Sequence, residues 1–168
     1  QGFANPRVAH LAAALNELTA RHADLIGDLP ADTLDFRPGC TPFSIAQITA
    51  HLVQAEGHWI RALTDREPLA DVMSRAADIR NASVCPEPAA ELVEMCLEQR
   101  AQVTIPALCD IARPDEERTH GDLTISARGV LMHLVWHWTY HNGQCGLLRM
   151  QAGLEYDWAF DGFVTGGV

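Results

Sequence analysis

The chain contains no lysine: all twelve of its basic residues are arginine. That absence excludes Schiff-base chemistry and a lysine nucleophile. Positive charge is scarce as well, with 22 acidic side chains against 12 arginines and a formal net charge of -10. Such an acidic surface disfavours nucleic-acid backbones and anionic membranes, so neither is expected as a partner. No apolar run reaches the ~18 residues that a membrane span requires. The five cysteines, Cys40, Cys85, Cys96, Cys109 and Cys145, form no Cys-x-x-Cys pair and no even framework. With no hydrophobic leader evident, reduced thiols and a cytoplasmic location are expected. The sequon at Asn81-Ala82-Ser83 is then a chance match. Sustained strand-like alternation, internal repeats and low-complexity tracts are all missing.

What remains is a 168-residue chain of ordinary globular composition, 48% hydrophobic, suited to one domain. Gln1-Gly2 resembles the remnant of a cleaved tag, which leaves 3–168 as a single expected domain. Helical periodicity predicts four long helices. The first opens at Asn5-Pro6, a cap followed by proline, and runs to about Leu29. The second starts on the capping box Ser44-Ile45-Ala46-Gln47 and runs to about Arg66, with Ile45, Ile48, Leu52, Ala55, Trp59 and Leu63 as its inner stripe. Residues 67–86 are hard to assign. The third spans about Glu87 to Ile111, with a kink or restart at Pro106. After the polar loop ARPDEERTHGD, the fourth runs from Ser126 to Gly153, its inner stripe being Val130, Leu134, His137, His141, Cys145 and Leu148. The aromatic tail is expected to fold back. The fold class is all-α, a four-helix bundle.

Two members of that last stripe are histidines one turn apart. An i, i+4 pair shares a helix face, offset by about 6 Å along the axis and roughly 40° around it, so both imidazoles can converge on one ion. The plainer alternative is a pair of buried rings hydrogen-bonded to each other or to backbone. Metal ligation accounts better for two polar rings on a core face. The third ligand is expected from the second helix, where His51 lies on the inner stripe. His58 is read as an outer partner or surface residue. His133 precedes His137 by one turn, but three successive turns drift by ~80°, so it is an outer partner, a proton relay or exposed. His10, His22 and His120 are read as solvated. Gln144 could orient a ligand, or cap or pack. Glu56 could accept a proton behind the ligands, although a solvated charge is the simpler expectation. Trp136, Trp138 and Tyr140 are read as packing or interface residues facing away from the site, and Arg61 or Arg149 could hold a substrate carboxylate, with a surface charge the simpler expectation.

Two blocks carry a family likeness. DLPADTLDFRPGCTPFSIAQITAHLVQAEGHWIRAL has an Arg-Pro turn, a Ser-Ile helix start, a mid-helix His-Leu and a following glutamate. HLVWHWTYHNGQCGLLRMQAG has a last-helix H-x3-H followed by Gly-Gln and a closing glycine. In that order and separation they resemble the DinB superfamily. The resemblance implies a four-helix bundle, often a homodimer, that binds a divalent ion through His51, His137 and His141. It also implies thiol chemistry of the kind carried out by mycothiol- and bacillithiol-dependent S-transferases and maleylpyruvate isomerases. Imidazole ligands suit zinc or nickel, and also iron or copper. The expected function is a metal-dependent enzyme acting on a low-molecular-weight thiol or an electrophile. A metal-dependent hydrolase and a non-catalytic, stress-associated metal-binding bundle are the alternatives.

Overall fold

A computed structural model describes residues 2–39, 43–64, 88–120 and 123–157. Helix α1, Pro6–Ile26, starts where Asn5 Oδ1 accepts from the Arg7 amide and proline takes the first turn. It ends short of Leu29, and a four-residue helix that periodicity does not signal, α2 (Ala31–Leu34), follows Pro30. Helix α3, Ile45–Leu63, opens on the capping box with both reciprocal bonds of Ser44 and Gln47 in place.

The third run is not one α-helix. Helix α4, Ala89–Glu98, passes into a π-helical stretch at Gln99–Thr104, and α5, Ile105–Cys109, takes Pro106 in its first turn. Proline lacks the N–H that would continue the α-ladder, so the irregularity is placed just before it. The polar stretch expected to be a loop instead contains a strand, β1 (Glu117–His120), which pairs antiparallel with β2 (Leu123–Ser126) just after it, Glu117 opposite Ser126. The described residues are therefore mostly helical with one small two-stranded sheet, consistent with the expected all-α class.

Helix α6, Ala127–Gln151, is capped by the Ser126 hydroxyl. It stops at Gly153, whose φ of +81° lets the Leu154 amide reach back to the Arg149 carbonyl. Helix α1 packs on α4 and α6, and α3 packs on α4, on the π-helical stretch and on α6. The shared core includes Leu15, Leu25, Leu52, Leu92, Leu131 and Leu134. Every member of the inner stripe expected on the last helix is buried. Of the tail, Leu154 and Tyr156 pack against that core. Assignments on 67–86, Cys40, Cys85 and 158–168 lie outside the described residues.

Candidate metal centre

Helices α3 and α6 bring three imidazoles together. Nε2 of His137 lies 3.0 Å from Nε2 of His51 and 3.1 Å from Nε2 of His141. The three candidate ligand atoms are all within 4.8 Å of one another, and the trio could hold a metal ion. Two nitrogens bound to one zinc at about 2.0–2.1 Å, at a tetrahedral angle, stand roughly 3.3 Å apart. The observed spacing is close to that. His137 and His141 are buried and His51 is half-buried, so the cluster sits at the edge of the core.

Proton bookkeeping favours a cation in this position. A neutral imidazole carries one N–H and one lone pair. His141 places Nδ1 2.7 Å from Gln144 Oε1, an acceptor, so its N–H is at Nδ1 and its Nε2 is a bare lone pair. His137 faces two nitrogens with its Nε2, and one N–H there could serve only one of them. Its buried Nδ1 has no hydrogen-bond partner among the described residues. Protonating the ring does not relieve this. Burial pushes the His137 pKa down to about 3, helped by His141, His51 and His133 nearby. Burial also holds His141 below the ordinary histidine range, against the opposing hydrogen bond to Gln144.

The other histidines are placed apart from the trio. His133 is exposed and its ring stacks on His137, with centroids 5.6 Å apart, and also meets Trp59 at a centroid distance of 5.3 Å. His58 is buried rather than a surface residue, and its Nδ1 accepts from Arg61 Nη2 at 3.0 Å. His10 is exposed, as expected. His22 is not solvated: it is fully buried, bonded to Asn142 Oδ1 at 2.7 Å and 2.9 Å from Thr49 Oγ1. Periodicity of α1 alone could not show that Asn142 and Thr49 wait on two other helices to satisfy that ring.

Glu56 is the largest correction. It is fully buried, is not part of the three-histidine cluster, and its carboxylate accepts from Arg100 Nε and Nη2, from the Thr104 hydroxyl and from Trp138 Nε1. Trp138 is thus an inward-facing donor, next in sequence to a histidine of the trio. Arg149 is likewise buried, gripping the Asp28 carboxylate at 2.6 and 2.9 Å. Trp136 and Tyr140 do face outward, stacked on each other with centroids 5.6 Å apart.

The family model described as the DinB family matches residues 5–162, nearly the whole chain. No curated protein matches the chain.

Proposed function

The chain belongs to the DinB family, and from that premise we propose that His51, His137 and His141 hold a divalent metal ion, zinc or nickel, in an enzyme that transfers a small thiol to an electrophile. The observation that carries this reading is the convergence of three Nε2 atoms whose own N–H groups cannot satisfy one another. When bound, the ion supplies Lewis acidity at a coordination position that three protein ligands leave open, lowering the pKa of a thiol that enters it.

The protein's own groups do the rest. Three neutral imidazoles would hold the ion without adding negative charge, so its full charge would remain available to a bound thiol. The low pKa of His137 keeps that ring unprotonated across the physiological range. His133 is exposed and stacked on His137, outside the trio. In the transfer, the thiolate sulfur forms a new bond to an electrophilic carbon. A halide leaves, or an epoxide C–O bond breaks and its oxygen takes up the proton the thiol lost.

The same premise extends to a homodimer through the outer face of α6. Met132, Trp136, Tyr140, Leu147 and Met150 are each at least half exposed and recur at helical spacing. Contiguous apolar surface of this kind marks an interaction face. Gly143 lies within the stripe, and a Cβ there would meet nothing within 4 Å, so a second helix has room to approach the backbone.

The test is turnover by the zinc- or nickel-loaded protein with a low-molecular-weight thiol and an epoxide or haloarene. Consumption of thiol that disappears in His137→Ala supports the reading. Ester or amide turnover with no thiol requirement overturns thiol transfer in favour of hydrolysis, and failure to bind metal overturns the site itself.

A further inference from the structure

Resting on the metal site proposed above, we infer that Gln144 and Tyr140 form a positioning chain that holds His141 in one tautomer and aims its Nε2 lone pair at the cluster. Gln144 Oε1 stands 2.7 Å from His141 Nδ1, and Gln144 Nε2 donates to the Tyr140 hydroxyl at 3.0 Å. The Gln144 amide is oriented with its NH2 toward the phenol oxygen and its carbonyl oxygen toward His141. A phenol oxygen can accept from the amide NH2, which turns the amide oxygen toward His141. An amide oxygen can only accept, so the imidazole must present N–H at Nδ1. His141 Nε2 is left as the lone pair that faces His137 Nε2 at 3.1 Å.

All three residues sit on α6, at spacings of three and four, so the chain is closed within a single helix. It needs no other element to form. Tyr140 is half exposed and Gln144 half-buried, whereas His141 is buried. The chain therefore runs from the surface inward to a ligand. The Tyr140 ring also meets His141 edge-on, with centroids 5.0 Å apart, which limits rotation of the imidazole. His137 has nothing comparable: its Nδ1 has no hydrogen-bond partner among the described residues. Hydrogen bonds behind ligating histidines fix ring orientation and raise ligand basicity, and their loss costs about 10- to 100-fold in metal affinity.

The experiment combines nitrogen-edited NMR of the metal-free protein near pH 8 with calorimetric titration by Zn2+ alone. In the wild type, His141 is expected as the Nδ1-protonated tautomer. Gln144→Leu is expected to mix in the Nε2-protonated form and to weaken zinc binding about 10- to 100-fold, with an unchanged melting profile without metal. Gln144→Glu keeps an acceptor at Nδ1 and is expected to bind zinc at least as tightly as the wild type. A wild-type His141 found in the Nε2-protonated form, or wild-type zinc affinity in Gln144→Leu, overturns the positioning chain. A wild type that takes up no zinc overturns the metal-site reading, and the tautomer measurement still decides the chain on its own.

Discussion

Arg100 holds both carboxylate oxygens of Glu56, at 2.9 and 2.7 Å, across 44 residues of sequence and with both side chains almost wholly buried. The π-helical stretch carries two of the donors. It places Arg100 and Thr104 on the same carboxylate, while Trp138 donates to it from α6. Wider turns of this kind often occur where a helix must present side chains in an unusual register. Burying a charge is tolerated only when it is paired and hydrogen-bonded, and here both conditions are met.

Removing one partner should therefore be far worse than removing both. Glu56→Leu is expected to destabilise the fold by about 3–5 kcal/mol, because it strands the Arg100 guanidinium. Glu56→Leu combined with Arg100→Met should recover much of that loss. Urea unfolding of the two single variants and the double variant measures the coupling. Additive losses would show that the pair is not the unit described.

His22 gives the fold a pH dependence with a defined sign. Burial lowers its pKa from 6.5 to about 4, against the hydrogen bond to Asn142, with His141 lowering it further. The unfolded ring binds a proton near 6.5 and the folded ring does not, so between these values the unfolded state holds more protons. Its contribution is fully present above pH 6.5 and is lost as the pH falls, by up to about 3 kcal/mol at pH 4. His137 and His141 act in the same direction. His22→Gln, which retains a hydrogen-bonding side chain that does not titrate, should flatten the slope of unfolding free energy over that range. An unchanged slope would place the pH sensitivity elsewhere.

Metal uptake should stabilise the protein by mass action. Zinc at 100 times its dissociation constant is expected to add about 2.7 kcal/mol, and a chelator should remove it. His51→Ala, His137→Ala and His141→Ala should each abolish the thermal shift, whereas His10→Ala should leave it intact. His133→Ala is expected to keep most of it, since that ring stacks on a ligand and does not join the trio. Differential scanning calorimetry with and without chelator distinguishes these outcomes.

Charging the outer face of α6 tests the proposed homodimer. Trp136→Glu replaces a ring that is 60% exposed, so the folded monomer should tolerate it. Light scattering is expected to show a shift from dimer to monomer. A wild type that is monomeric at micromolar concentration removes the proposal.

The parts of this fold that were readable in advance are those governed by local rules. Ser44 and Gln47 announce a helix start because a capping box is self-contained. Pro106 announces a break because a missing N–H acts within one turn. His51, His137 and His141 lie on the most apolar stripes of their helices, so inward direction followed from spacing alone. What was not readable needed a partner from another element. Helix α3 is buried on two sides, by α6 and by the α4 and π-helical segments, and a single inner stripe describes only one. Glu56 falls on the other side, where a charge looks solvated until Arg100 is seen beside it. His22 and Arg149 belong to the same class, each neutralised or hydrogen-bonded by residues more than a hundred positions away or on other helices. The hairpin leaves little signal in the sequence because each strand is only four residues long, the lower limit at which alternation can be read, and Glu117–His120 carries no apolar residue.

Anomalous diffraction at the zinc edge, from crystals grown with zinc, tests the central claim most directly. A single strong peak is expected about 2.0–2.1 Å from Nε2 of His51, His137 and His141 together, with at least one further coordination position not filled by protein. A peak elsewhere, or none at the three rings, would contradict it.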